Sequence, residues 1–306
     1  MRDRLNALWV RAMAALPLGA VQALGALAGW MAFVLPTRER GYAWTNLTLC
    51  FRAVDAARRR ALVRRSLIES GKTLAEMPGV WTRPPADTVA LIREERGREA
   101  LDRALALGRG LIVAGPHLGN WEIAGLRVQT LGPTTILYRP PRQAGFEGPM
   151  RRGRSAGGAQ VVPIDATGIR ALYRALGRGE IVGILPDQQP RSVAGGVFAP
   201  FFGVPAFTMT LLGRLARKSG APVVYAFAER LPRAGGYRLH WVSAPEGIDD
   251  PDPVAAATAL NRGVEACVRA CPEQYQWGYR RFRLRPYGGP NPYNRPARAR
   301  RWWMRR

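Results

Sequence analysis

The sequence predicts an α/β protein with a mostly parallel central sheet flanked by helices. Three observations carry that reading. From about residue 98 onward, short apolar runs alternate with segments of helical period, the pattern that places parallel strands between covering helices. Glycines at 108, 132 and 177 stand where those helical segments end. The chain is also core-forming: of 306 residues, 47% are hydrophobic and 22% charged.

The elements follow in order. From Ala12 to Thr37 the chain has 26 residues without a charge. As one helix they would extend about 39 Å, against a bilayer hydrocarbon core of about 30 Å. Arg2, Arg4 and Arg11 precede this stretch, Arg38 and Arg40 follow it, and Trp9 and Trp30 suit the membrane interface. A membrane-associated helix is expected, crossing the bilayer or lying in its plane. The Ala and Gly content and Pro17 make insertion marginal, so a buried soluble helix is the alternative. Arg38-Glu39-Arg40 occupies the place of a small-residue cleavage site, which argues against a signal peptide.

Ala56 to Ala75 reads as a helix with apolar Leu62, Val63, Leu67, Ile68 and Leu74 between Arg58, Arg59, Arg60, Arg64 and Arg65. Its basic face is either solvated or set against phosphates. Helices are then expected at Glu99–Leu107, Asn120–Leu131, Thr167–Leu176, Ala206–Lys218 and Pro253–Arg269. Strands are expected at Leu111–Ala114, Thr134–Tyr138, Val161–Ile164, Ile181–Leu185, Pro222–Ala228 and Tyr237–Val242. Three regions result: an N-terminal membrane-anchoring helix (1–37), a catalytic body (38–286) and an Arg/Trp-rich tail (287–306).

Charge bounds the function. Lys and Arg number 46 against 22 Asp and Glu, a net +24, and only Lys72 and Lys218 are lysines. Such an excess calls for an anionic partner: nucleic acid, acidic protein or anionic lipid. Three cysteines make no disulfide framework and suit a reducing compartment. Two histidines exclude a histidine-rich metal site, and Cys267 and Cys271 lack a second ligand pair. There is no P-loop and no dinucleotide fingerprint, so no cofactor is expected.

The chemistry centres on His117-Leu-Gly-Asn-Trp-Glu122, which follows a strand and opens a helix. That position is the C-terminal edge of the sheet, where α/β sites form. His117 suits a general base, and Glu122 in the first helical turn is placed to orient the imidazole. No serine or cysteine accompanies the pair, so the nucleophile would be a hydroxyl of the substrate.

Beyond this pair, the chain carries Tyr138-Arg139-Pro140, Gly153-Arg154, Leu185-Pro186-Asp187-Gln188, Gly195-Gly196 through Phe201-Phe202-Gly203, and Pro272-Glu273-Gln274-Tyr275 with Trp277, Arg280, Arg281 and Phe282. In this order and spacing it resembles the lipid A biosynthesis (lauroyl/myristoyl) acyltransferases, members of the lysophospholipid acyltransferase-like superfamily with a His-x4-Asp/Glu motif. The similarity runs from about Asn46-Leu47 to Pro286. It implies a glycerol-3-phosphate acyltransferase-like fold and an inner-membrane enzyme working on the cytoplasmic face. That enzyme would move a fatty acyl chain from acyl carrier protein to a hydroxyl of an anionic glycolipid, a lipid A precursor. Substrate contacts are then expected from Arg139, Arg154, Asp187, Gly196 and Phe201. Arg154 would bind a phosphate or stabilise an oxyanion. Asp187 would hold an arginine, and the run from Gly195 to Gly203 would line an acyl channel or dip into the bilayer. Acylation of another membrane lipid is an alternative. A basic protein binding nucleic acid or membrane without catalysis is a second, although no nucleic-acid-binding motif is visible. The last 33 residues hold ten arginines, no acid and Trp302-Trp303, an interfacial pattern.

Overall fold

The uncharged N-terminal segment folds as two helices, not one. The structure, a computed structural model, describes residues 2–140, 144–190 and 192–294. Helix α1 (Arg2–Ala15) stops before Pro17, and α2 (Leu18–Val34) starts after it. A residue preceding proline is driven out of the helical region, and Arg83 Nη2 then donates to the exposed carbonyls of Ala14 and Leu16 at 3.0 and 2.7 Å. After a 78° bend comes α3 (Arg38–Cys50), capped by Thr37, whose hydroxyl accepts from the Arg40 amide. Among the described residues no single helix is long and apolar enough to cross a membrane; α2 and α3 meet that measure only as a bent pair. The basic helix α4 (Ala56–Thr82) is capped by Asp55 and runs on through Pro78, beyond the expected end at Ala75.

The α/β body follows as α5 (Pro85–Val89), β1 (Ile92–Arg96), α6 (Arg98–Ala106), β2 (Leu111–Ala114), α7 (Trp121–Gln129), β3 (Thr134–Tyr138), α8 (Glu147–Ser155), β4 (Gln160–Pro163), α9 (Ala166–Gly177) and β5 (Ile181–Ile184). It continues with β6 (Gly196–Phe201), β7 (Val204–Met209), α10 (Leu211–Ser219), β8 (Val223–Arg230), β9 (Tyr237–Ser243) and α11 (Pro253–Ala270). Seven strands form one sheet in the order β1-β9-β8-β2-β5-β3-β4. From β8 to β4 all pairings are parallel; β9 runs antiparallel to β8 and carries β1 with it. The expected mostly parallel sheet is present.

Two cores cover its faces, and alternation along each strand decides which residue joins which. Ile112, Val182, Tyr225 and Phe227 belong to one core; Leu111, Val113, Ile181 and Val224 belong to the other.

Two local expectations fail for physical reasons. The expected helix Ala206–Lys218 begins only at Leu211, because its first residues form strand β7, paired with β6 in a hairpin. The two-residue turn is Phe202-Gly203, both at positive φ (49° and 71°), as a type I′ turn requires. Strand β1 was not expected because Ile-Arg-Glu-Glu-Arg carries little apolar signal: it is an edge strand with two of its five residues exposed and none fully buried.

Helix α2 sits on α4 backbone to backbone. A Cβ added at Gly29 would lie 2.2 Å from the Leu67 carbonyl oxygen, and one at Gly71 would lie 2.2 Å from that of Gly25. Only glycine permits so close an approach.

Candidate active site

Parallel pairing of β2 with β5 builds the centre of the site. Ala114 lies opposite Ile184 in that register. Three residues beyond Ala114 comes His117, and three residues beyond Ile184 comes Asp187, so both leave the same sheet edge side by side. The Asp187 carboxylate accepts from His117 Nδ1 at 2.7 Å and from the His117 backbone amide at 3.0 Å. Both residues are buried. Burial opposes ionisation of Asp187, but the facing imidazole and its hydrogen bonds outweigh this and hold the carboxyl below its ordinary value. Nearby Tyr275 is pushed well above the usual phenol range, first by burial and then by the Asp187 charge, so it stays protonated.

This corrects the expected role of Glu122. Its carboxylate is taken by Arg154, with Nε at 3.1 and 3.0 Å from the two oxygens and Nη2 at 2.5 Å. A glutamate two residues past the N-cap points back along α7, while the imidazole is fixed from the β5 side. Asp187, expected to hold an arginine, holds the histidine instead. Arg154 spends its fork on Glu122 in a buried ion pair, and Glu122 more than offsets the burial that works against the arginine's charge. Its guanidinium also lies 5.7 Å from the Tyr138 ring centroid.

The His117 loop is fastened from three sides. Gly119 takes φ +60°, and a Cβ there would meet the Ala228 carbonyl oxygen at 2.0 Å. Asn120 caps α7 through the Ile123 amide and donates to Glu76 of α4 at 3.0 Å. The segment after α11 closes the back: the Gln276 amide donates to the His117 carbonyl, and the Gly119 amide to that of Gln274. Glu76 is itself a junction, since Gln22 of α2 donates to it at 2.9 Å and Arg230 engages both of its oxygens at 2.6 Å.

With Nδ1–H donated to Asp187, the other imidazole nitrogen carries the lone pair. Gln188 Nε2 lies 3.3 Å from it, and Gln276 steadies that amide at 3.1 Å. The Trp121 ring centroid is 4.9 Å from the imidazole. Trp121 also lines a mostly apolar cleft, bordered by Glu122 and Arg154 and running between Trp81, Gly125, Ile136 and Gly183.

Three other expected substrate residues lie elsewhere. Phe201 is a core side chain, 1% exposed, packed among Tyr275, Phe282 and Phe202 under the Arg281 guanidinium. Gly196 is wedged into the hairpin, where a Cβ would meet Thr208 O at 2.6 Å and Pro190 at 2.8 Å. Hairpin pairing turns that aromatic stripe inward, so the run from Gly195 to Gly203 does not line the cleft. Arg139 is exposed just past β3, and residues 141–143 beyond it lie outside the described set, as does the tail from residue 295. Among the described residues no group of three or more His, Cys, Asp or Glu side chains is placed to hold a metal ion.

Comparison with known proteins identifies the family. Residues 3–284 match the family model of bacterial lipid A biosynthesis acyltransferases. The chain is 31% identical over 294 residues to a lipid A biosynthesis lauroyltransferase of Escherichia coli, covering 94% of this chain and 93% of that one. It is 32% identical over 287 residues to a lipid A biosynthesis palmitoleoyltransferase of the same organism, covering 94% and 91%. A phosphatidylinositol mannoside acyltransferase of Mycobacterium tuberculosis shares 26% identity over 148 residues, 47% of this chain and 46% of that one. The chain therefore belongs to the bacterial lipid A biosynthesis acyltransferase family and is an acyltransferase of lipid A synthesis.

Proposed function

We propose that the enzyme takes a fatty acyl chain from the thioester of acyl carrier protein and passes it to a hydroxyl on a 3-hydroxyacyl chain of a lipid A precursor. It would do so at the cytoplasmic face of the inner membrane, with His117 as general base held by Asp187. The carrying observation is the buried His117–Asp187 pair, whose imidazole lies against Trp121, a residue that lines an apolar cleft. The donor's chain lies in that cleft between Gly125 and Gly183, which brings its carbonyl to the imidazole. The acceptor hydroxyl displaces the Gln188 amide from the unprotonated nitrogen. Its proton passes to His117 while its oxygen bonds to the thioester carbonyl carbon, and Asp187 stabilises the imidazolium. Collapse breaks the carbon–sulfur bond, and the imidazolium returns the proton to the leaving thiolate. The products are the ester and the free carrier thiol. The Glu122–Arg154 pair borders the cleft. The arginine excess suits an acidic carrier, a phosphorylated acceptor and an anionic leaflet together.

The purified enzyme, supplied with acyl carrier protein bearing chains of different length and a tetra-acylated precursor, is expected to add the mass of one acyl group. No transfer from any donor, or full activity in His117→Ala, would sink the reading. The partial similarity to a phosphatidylinositol mannoside acyltransferase favours a second acceptor class, another hydroxyl-bearing membrane glycolipid. Lipid analysis of a deletion strain separates the two, since the acceptor that loses a chain is the substrate.

A further inference from the structure

Helix α2 is built inside out for a helix in water. Of its 17 residues none is charged, and its one strongly polar side chain, Gln22, is buried against Glu76. The outer face carries Leu24, Leu27, Trp30, Met31 and Val34, each between 44% and 52% exposed. They recur at helical spacing and form one stripe without a polar interruption. Single exposed apolar residues are ordinary on a soluble surface, but a contiguous stripe marks an interaction site.

The inner face fixes how α2 can meet a partner. Gly25 and Gly29 press on the α4 backbone at Gly71 and Leu67, so α2 lies along the body and cannot stand away from it. At about 25 Å it is also shorter than a hydrocarbon core of about 30 Å. Nor does α3 extend it outward: Asn46 of α3 donates to the Trp277 and Tyr279 carbonyls, inside the body. At the C-terminal end of the stripe arginines outnumber the one acid, exposed Glu39. The Arg40 and Arg60 guanidiniums both lie near the Phe33 ring, at 5.2 and 5.9 Å, and exposed Arg38 follows. Like charges gathered over one ring fit an anionic partner. An apolar stripe ending in an arginine cluster matches acyl chains beneath phosphate headgroups.

We propose that α2 is an in-plane docking face: it lies parallel to an anionic bilayer with Leu24, Leu27, Trp30, Met31 and Val34 immersed, and it leaves α1 and the catalytic body on the same side of the membrane. This sharpens the membrane reading given above by excluding a spanning anchor, and it commits to the lipid surface as occupant.

The test uses the full chain. Ala12→Cys and Arg178→Cys, with the parent protein as background, are labelled by a membrane-impermeant maleimide in inside-out vesicles and in spheroplasts. Both are expected to label in inside-out vesicles only; labelling from opposite faces means that α2 spans, and overturns the proposal. Purified protein is then floated with vesicles of phosphatidylethanolamine and phosphatidylglycerol. Leu27→Glu/Val34→Glu is expected to weaken binding tenfold or more with an unchanged thermal melt, because both side chains are exposed. Binding of the parent protein is expected to persist in 1 M salt, where purely electrostatic adsorption fails. Unchanged binding by the double variant, or complete release of the parent by salt, overturns the proposal. No readout depends on acyl transfer, so an inactive protein that docks this way would sink the proposed reaction and leave the docking face standing.

Discussion

Asp187 grips His117 at two points, one on the ring and one on the backbone amide. The second contact fixes where the residue starts and the first fixes where its ring points. One carboxylate therefore sets both position and tautomer.

Replacing that carboxylate tests the pair. Asp187→Asn keeps the shape but offers the ring an amide, which can stabilise the wrong tautomer and cannot stabilise the imidazolium. A loss in kcat on the order of 10³–10⁴-fold is expected, with KM little changed. Steady-state kinetics with a loaded carrier measure it; a loss below about tenfold would remove Asp187 from the mechanism.

Glu122 is expected to behave differently. Glu122→Ala leaves the Arg154 guanidinium buried without its partner, and a stability loss of about 3 kcal/mol follows. In Glu122→Leu/Arg154→Met the charge is gone, and most of that loss should return. Urea melts at neutral pH of both variants decide the matter.

Stability should also report Asp187 through pH. Its folded carboxyl titrates below the unfolded value, which is about 3.9. The contribution is therefore complete above that value and is lost as pH falls through the lower, folded value. The melting temperatures of the parent and Asp187→Asn should differ near neutrality and converge in strong acid. A gap that stays constant down to the lowest pH would contradict this.

The cleft offers a test of chain length. Gly125 sits on α7 at the cleft wall, and a Cβ there would meet nothing within 4 Å. Gly125→Leu should fill the space without disturbing the backbone and should favour the helix by up to about 1 kcal/mol. The longest donor chain accepted should shorten, read from competition among carriers loaded with chains of graded length. Unchanged donor preference would place the acyl chain elsewhere.

Much of this architecture was legible because the strands are short apolar runs and the helices are punctuated by glycine. His117 was legible because it follows such a strand directly. The hairpin was not, since Val204–Met209 is apolar enough to extend the helical pattern that truly begins at Leu211. Asp187's partner was hidden for another reason: the contact spans 70 residues and depends on β2 lying beside β5. Once that adjacency is granted, the equal offset from the two strand ends suffices to pair them. Phe201 misled because exposed and buried aromatic stripes look alike until the pairing partner is known.

The junction at Glu76 bears on how the enzyme is handled. Its two oxygens serve Gln22 from α2, Asn120 from the His117 loop and Arg230 from the end of β8. Deleting the first 34 residues would be an obvious route to a water-soluble, crystallisable protein. It would strip one donor from the carboxylate that positions Asn120 and uncover the glycine track along Gly71. The helix that looks most like a disposable leader is thus a buttress of the His117 loop, and solubility is better sought by recharging its outer face than by cutting it away.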